Sequence, residues 1–149
     1  MAGFHYKMQN ILNIKYKLES QAKIAFAAAA AALAQEEEKL RLLRVRRMEY
    51  EEQARALRTE LLDIPRINQC QQAVDAMKEL IRRQQVSVHV AQRNLEMMRS
   101  QLNEVMKDRK THEKLRENAL EEFKHELASQ EIKEIDQLVS YTYQGRTAE

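Results

Sequence analysis

The chain has 149 residues, of which 32% are charged and 5% aromatic, with two glycines, one proline and a formal net charge of +2. So few aromatic and turn-forming residues exclude an ordinary compact core and are typical of long helices or coiled coils. The near-neutral charge argues against a nucleic-acid partner, and a single cysteine, Cys70, excludes an internal disulfide and suits a reducing compartment.

The first predicted element is a long helix over residues 4–62. Apolar residues recur in it with the a/d spacing of a heptad, which is typical of a coiled coil. This register contains Phe26, Ala29, Leu33, Leu40, Leu43, Tyr50, Ala54, Leu57, Leu61 and Ile64, with Glu36 and Arg47 as exceptions. Ile11, Ile14 and Leu18 lie one residue out of it, so we expect a stutter between Leu18 and Phe26.

Residues 24–34 of this helix, IAFAAAAAALA, contain six consecutive alanines. Lys15, Lys17 and Lys23 precede the run, as basic residues precede the apolar region of a signal peptide. The run is too short for a membrane span, which needs about 20 apolar residues, and alanine has the highest helix propensity. We therefore predict no transmembrane segment. The run is either plain helix or a narrow section that another backbone can approach closely.

A turn is predicted over residues 63–67, followed by a second helix over residues 68–140 and a frayed tail over residues 141–149. Pro65 disfavours a helical conformation at the residue before it, and Asp63 or Asn68 can cap the second helix. The second helix has its own a/d register, broken by Gln84, which contains Ile67, Cys70, Val74, Met77, Ile81, Val88, Ala91, Leu95, Met98, Leu102 and Val105.

Two seams joined by a short turn predict an all-α fold, in which two long helices form an antiparallel coiled-coil hairpin and residues 1–149 form a single unit. A turn near Pro65 pairs residues whose numbers sum to about 131. Leu33 is then expected near Met98, and Phe26 near Val105. After Val105 the seam positions are Arg109, His112 and Arg116, where we expect a loosened and solvated section.

Residues after about 129 have no partner in the first helix. Ile132, Ile135, Leu138 and Val139 give this overhang an apolar stripe of its own. An apolar stripe without a partner indicates either an oligomer contact or a docking site.

Signals for chemistry are absent from the sequence. Glycine occurs only at positions 3 and 145, so no glycine-rich loop can cradle a phosphate. Glu122 and His125 have the i, i+3 spacing of a di-iron ligand pair, but such sites need two copies of the pair. The sequence therefore predicts no catalytic residue, no metal site and no cofactor.

Charge distribution suggests a basic belt, which consists of Arg41, Arg44, Arg46, Arg47, Arg82 and Arg83. In the expected pairing Arg47 lies opposite Gln84, so that the arginines of the two helices come together. The belt is either a solvated coiled-coil face with ion pairs inside each helix or a contact for an acidic partner surface.

The amino-terminal segment FHYKMQNILNIKYKLESQAK, with LAQEEEKLRLL and Tyr50 after it, resembles the start of the FliJ family of flagellar type III export proteins. The segments INQCQQAVDAMKELI and EIDQLVSYTYQ are also similar to that family, as is the chain length. The resemblance implies a non-enzymatic component of the bacterial flagellar export apparatus. Such a protein is cytoplasmic, is peripherally associated with the inner face of the cell membrane, and serves motility and chemotaxis.

The partners implied by the resemblance are a hexameric export ATPase, a membrane export-gate protein and export chaperones. Its export-gate contact corresponds here to Ala73, Met77, Leu80 and Gln84. The termini are expected to face the ATPase ring, with contacts from Ile11, Ile135, Leu138, Val139 and Tyr141. The alternative function is a generic structural coiled-coil scaffold that self-associates through its seam.

Overall fold

The computed structural model describes residues 3–59 and 62–147, the last of these by its backbone alone. These residues form two helices and no strand: α1, Gln9–Thr59, has 51 residues, and α2, Ile64–Thr147, has 84. Both helices contribute to two compact units, the terminal unit (residues 3–19 and 104–147) and the turn unit (residues 20–59 and 62–103). In each unit the α1 and α2 segments pack antiparallel, which confirms the predicted all-α helical hairpin.

Helix α2 begins at Ile64, four residues before the predicted start at residue 68. The Asp63 carboxylate accepts a hydrogen bond from the backbone N–H of Arg66 at 3.4 Å, and the Asp63 carbonyl accepts one from Ile67 at 3.0 Å. Asp63 is therefore the N-cap. Pro65 lies in the first helical turn, where its missing N–H costs nothing, so residues 64–67 are helical rather than part of the predicted turn.

The other helix ends also differ from the predicted ones. Helix α1 begins at Gln9 rather than at residue 4. The preceding Phe4 packs on Phe123, with ring centroids 5.5 Å apart, and lies under the Arg116 guanidinium. Helix α1 ends at Thr59, and residues 60 and 61 lie outside the described residues. Residues 141–147, predicted as frayed, continue α2, because no glycine or proline occurs between Pro65 and Gly145.

Replacement of the cap, Asp63→Ala, should lower the free energy of unfolding by about 1 kcal/mol, because the first turn of α2 loses a side-chain acceptor for its unpaired N–H groups. Urea unfolding followed by circular dichroism measures this change. Asp63→Asn is the matched control, since asparagine caps as well as aspartate. Equal stability of the Ala and Asn variants would contradict the assignment of Asp63 as the cap.

The core of the turn unit is the predicted heptad seam. Leu40, Ile81 and Val88 form a buried cluster against which Leu33 and Leu43 pack. With the exception of the exposed Ile64, the predicted seam positions described in this unit are buried or half-buried. Leu61, also predicted for the seam, lies outside the described residues. Burial of these apolar side chains between the helices stabilises the unit.

The pairing of the two helices differs from the predicted pairing by about one heptad. Leu33 packs against the cluster that contains Val88 rather than near Met98, and the Phe26 ring lies under Arg99, 5.9 Å from its guanidinium carbon. The expectation that residue numbers sum to about 131 is therefore wrong. The connection precedes Pro65 instead of being centred on it, so each α1 residue meets an earlier residue of α2.

The terminal unit has no stutter of the predicted kind. Leu12 and Glu19 are buried, at 1% and 6% exposure, whereas Ile14 and Leu18 are exposed. Leu12 and Glu19 lie fourteen and seven residues before Phe26, so the heptad spacing of the first helix extends back to the start of α1. Burial of a glutamate in a seam is costly unless the charge is paired, and the partner of Glu19 explains why this register is adopted.

Candidate functional site

A buried ion pair joins the two helices of the terminal unit. The Arg109 guanidinium donates to both carboxylate oxygens of Glu19, at 2.7 and 3.1 Å, and to Glu113 at 2.9 Å. The side chains of Arg109 and Glu19 are 17% and 8% exposed. The hydrogen bond with Glu19 raises the pKa of Arg109, so the guanidinium stays charged. The predicted loosened section is thus closed, by a pair that is bidentate and charge-assisted.

Further polar contacts extend this pair. The Tyr16 hydroxyl donates to Glu113, which raises the pKa of Tyr16 and lowers that of Glu113. Lys15 Nζ lies 2.7 Å from the Asp108 carboxylate, and this bond lowers the pKa of Asp108. His112 Nε2 lies 3.6 Å from Asp108. Both carboxylates are therefore held ionised at neutral pH, and the seam here is polar and closed rather than solvated.

The heptad pattern of the second helix placed Arg109 in the seam, but its partner Glu19 was not predicted. With the expected stutter, Glu19 lies outside the predicted seam, so the prediction gave Arg109 no partner in α1. The signal was present, because Glu19 occupies the position of Phe26 one heptad earlier. A charged residue at a seam position of each helix is itself a sign of an interhelical pair.

The C-terminal segment of α2 has an exposed apolar stripe. Residues 128–146 are all exposed. The exposed large side chains of this segment, from 57% to 78% accessible, are Ile132, Ile135, Leu138, Val139, Tyr141 and Tyr143. Ile11, the α1 residue predicted for the same contact, is half-buried in this unit. The predicted overhang therefore presents exposed apolar side chains to a partner.

The apolar stripe of this segment does not continue the seam. Extension of the α2 register beyond Phe123 leads to Glu126, Gln130, Lys133, Gln137 and Ser140, which are polar. The apolar residues at 132, 135, 138 and 139 occupy other positions of the helical wheel. The segment is therefore not built to extend the pairing with α1, and its apolar side chains face a different direction.

The four residues predicted for the export-gate contact do not share one exposed face. Leu80 is 40% exposed, whereas Ala73 and Met77 are half-buried. Gln84 is also half-buried, and its amide donates to the backbone carbonyl of Glu36 at 2.9 Å and to the Glu36 carboxylate. Gln84 therefore holds the two helices of the turn unit together, and of this group Leu80 is the residue most accessible to a partner.

The arginines of the basic belt are paired mainly within their own helices. Ion pairs join Arg41 to Glu38, Arg47 to Glu51, and both Arg82 and Arg83 to Glu79. The expected position of Arg47 opposite Gln84 is wrong, because Gln84 bonds to Glu36 instead. Arg44 and Arg46 are exposed and form no ion pair with another described residue. These two guanidinium groups are the belt members with charge available for a partner.

A groove that sequence analysis missed lies beside Gln84 in the turn unit. It has a volume of about 550 Å³ and is lined by Lys39, Leu42, Leu43, Val45, Arg46, Glu49 and Gln84. Leu42 and Val45 are exposed although they are apolar. Apolar walls with a charged rim suit a protein side chain or a short helix better than a small polar ligand.

The described residues show neither a membrane span nor a metal cluster. Neither helix contains, within residues 3–59 and 62–147, a stretch apolar and long enough to cross a bilayer. The same part of the chain brings together no three histidine, cysteine or carboxylate side chains that could hold a metal ion.

A family model described as Flagellar FliJ protein matches residues 4–148. The chain belongs to the FliJ family. The match spans both helices, including the exposed C-terminal segment, and membership makes this FliJ-family protein a component of flagellar or type III protein export. No curated protein matches the chain.

A solved structure has the same fold as this FliJ-family protein. It is described as a homolog of YscO, CT670, from Chlamydia trachomatis, and is 22% identical in sequence. The superposition has a TM-score of 0.82 and covers 99% of each chain. The likeness shows that the two-helix fold is shared.

Proposed function

We propose that this chain is a non-enzymatic component of the bacterial flagellar type III export apparatus, and that it binds the hexameric export ATPase ring through its terminal unit. The observation that carries the proposal is the exposed apolar stripe of α2 in a FliJ-family chain. Ile135, Leu138, Val139 and Tyr141 are each more than half exposed, and an apolar stripe of this kind is stabilised when a partner covers it. Ile11 of the same unit is the α1 residue proposed to join this contact.

The chemistry of the stripe fits a docking role. Tyrosines are favoured at interfaces because each provides a large apolar ring and a hydroxyl that can bond to the partner. The stripe contains Tyr141 and Tyr143 next to aliphatic residues. We propose that the chain acts by binding, and that it raises the activity of the ATPase by promoting assembly of the ring.

The turn unit offers the surfaces for the other partners. Leu80 and the groove beside Gln84 are proposed to contact the membrane export-gate protein, with Ala73 and Met77 supporting Leu80 from the seam. Arg44 and Arg46 are proposed to contact an acidic surface of the gate or of an export chaperone, since their charges have no described partner. Through these contacts the chain is proposed to work in the cytoplasm at the inner face of the membrane.

A self-associating scaffold is the less favoured function. Such a scaffold would use its heptad seam to bind other copies. In the turn unit the seam side chains of α1 are covered by α2 of the same chain, as the cluster of Leu40, Ile81 and Val88 illustrates. A scaffold that used this seam would first have to separate the two helices. That separation would expose the apolar side chains of the cluster to water, which costs free energy.

The proposed function is tested by mixing the chain with the purified export ATPase and measuring both ATP hydrolysis and the oligomer distribution. We expect the native chain to raise hydrolysis and to shift the ATPase toward its ring form. The double variant Ile135→Asp with Leu138→Asp should lose most of this effect, because the carboxylates would have to be buried in an apolar contact.

The matched control is Val86→Asp with Val90→Asp, which places two carboxylates at equally exposed positions of the turn unit, 59% and 60% accessible. This control should stimulate hydrolysis as the native chain does. The proposal would be rejected by unchanged hydrolysis and an unchanged oligomer distribution on addition of the native chain. In cells, a deletion strain should lack motility, and the native gene should restore it.

A further inference from the structure

Helix α1 of the terminal unit has a second apolar stripe outside the seam. Ile14 and Leu18 are 53% and 41% exposed, and Ile11 beside them is half-buried. These three residues have i, i+3, i+7 spacing, so they lie along one face of the helix. The seam with α2 uses Leu12 and Glu19 instead, so this stripe is available to another helix.

The two exposed stripes of the terminal unit carry opposite charges. Residues 7–18 contain Lys7, Lys15 and Lys17 and no acidic residue. Lys15 pairs with Asp108, whereas Lys7 and Lys17 are exposed and form no ion pair with a described residue. On α2, residues 131–141 contain three acidic side chains and one lysine, namely Glu131, Glu134, Asp136 and Lys133. The α1 stripe is therefore basic and apolar, and the α2 stripe acidic and apolar.

The lengths of the two stripes also match. In the terminal unit, residues 9–19 of α1 are helical and are about 16 Å long at about 1.5 Å per residue. Residues 131–141 of α2 have the same length. Within one chain they cannot meet, because α2 is a continuous helix that carries residues 131–141 past the point where α1 begins. The complementary stripe must come from another chain.

We propose that two copies of this chain pair about a two-fold axis, with residues 131–141 of each copy packed on the stripe of Ile11, Ile14 and Leu18 of the other. A two-fold arrangement forms this contact twice, so that both exposed stripes of both copies are covered. Ile132, Ile135 and Leu138 supply the apolar contact. Glu131 and Glu134 face the partner's Lys7 and Lys17.

The proposed dimer does not depend on the proposed ATPase contact, but the two contacts use the same stripe of α2. Residues 135 and 138 belong both to the dimer contact and to the proposed ring contact. A paired copy therefore cannot present this stripe to the ring, and ring binding has to follow dissociation of the dimer. The pairing would keep the apolar stripe covered until the ATPase is present.

The test is sedimentation equilibrium of the full chain alone, from low micromolar to millimolar concentration. The native chain should shift from its monomer mass of 17.6 kDa to twice that mass, with weaker association at high salt. Lys7→Glu with Lys17→Glu, and separately Glu131→Lys with Glu134→Lys, should each raise the dissociation constant by about tenfold or more, because like charges then face each other.

Mixing these two charge variants is the decisive measurement. Each homodimer contains two repulsive contacts, whereas the mixed dimer contains two attractive ones, so the mixture should associate as tightly as the native chain. Circular dichroism establishes that both variants are folded. Val86→Asp with Val90→Asp, in the turn unit, should dimerise normally.

A native chain that stays monomeric over the whole concentration range would overturn the proposal. So would dimerisation that the charge variants leave unchanged, which would point to a different contact. Failure of the mixed variants to associate would exclude the reciprocal arrangement. None of these measurements involves the ATPase, so their outcome does not decide the proposed function.

Discussion

Glu19→Ala should lower the free energy of unfolding by about 3 kcal/mol or more, a large loss for a substitution of a charged residue. The native carboxylate is nine-tenths buried and accepts two hydrogen bonds from Arg109. Without it, the guanidinium remains in the seam with Glu113 as its remaining partner. Urea unfolding measures the loss, and amide hydrogen exchange should show faster exchange near residues 15–19 and 109–116.

Two further variants separate this effect from a general loss of charge. Glu96→Ala removes the acidic partner of Arg99 from an exposed pair and should change stability by about 0.5 kcal/mol or less, since exposed pairs contribute little. The double variant Glu19→Leu with Arg109→Leu should recover the loss, because two apolar side chains then fill the seam. A Glu19→Ala variant as stable as Glu96→Ala would contradict the importance of the buried pair.

The heptad pattern predicted the fold because the spacing of apolar residues within each helix shows which face of that helix is buried. From Phe26 to Leu57 and from Ile67 to Phe123 the predicted a/d positions are buried or half-buried, including the polar exceptions Glu36, Arg47 and Gln84. A polar residue in the middle of such a pattern is carried into the seam by its neighbours, and the seam then provides it with a partner, as Glu36 does for Gln84.

Pairing between the helices could not be predicted in the same way. Heptad spacing permits any shift of the partner by seven residues, because each shift again places a/d residues against a/d residues. The choice depends on where the connection lies, and Pro65 is compatible both with a turn and with the first turn of a helix. Because Asp63 caps α2, Pro65 lies in the first turn of the helix and not in the connection. The predicted pairing, which placed the connection at Pro65, was therefore wrong by about one heptad.

The candidate interaction surfaces were predicted unevenly. The stripe at residues 132–139 was found because the second helix is longer than the first, so that apolar residues after about residue 129 have no partner. The groove beside Gln84 was missed because Leu42 and Val45 are isolated apolar residues outside the heptad, and such residues are common on protein surfaces. For the basic belt the sequence left two interpretations open, ion pairs inside each helix or a contact for an acidic partner. The structure pairs four of its arginines with Glu38, Glu51 and Glu79 of their own helices, which agrees with the first interpretation.

Ile81→Ala should lower the free energy of unfolding by about 2–5 kcal/mol, the range for truncation of a buried aliphatic side chain. Ile81 is 6% exposed and lies in the cluster with Leu40 and Val88. Its removal takes away apolar burial and leaves a cavity between the two helices of the turn unit. Thermal and urea unfolding of the full chain measure the change.

The neighbouring substitution Leu80→Ala is the matched control, and it separates folding from partner binding. Leu80 precedes Ile81 in sequence but is 40% exposed, so its truncation should cost about 1 kcal/mol or less. Leu80→Ala should nevertheless weaken binding to the export-gate protein, measured by calorimetry or pull-down with the purified gate domain. Ile81→Ala should bind normally at a temperature where it is folded. Normal gate binding by Leu80→Ala would show that Leu80 is not part of the proposed contact. Equal destabilisation by Leu80→Ala and Ile81→Ala would contradict the burial of Ile81 in the seam.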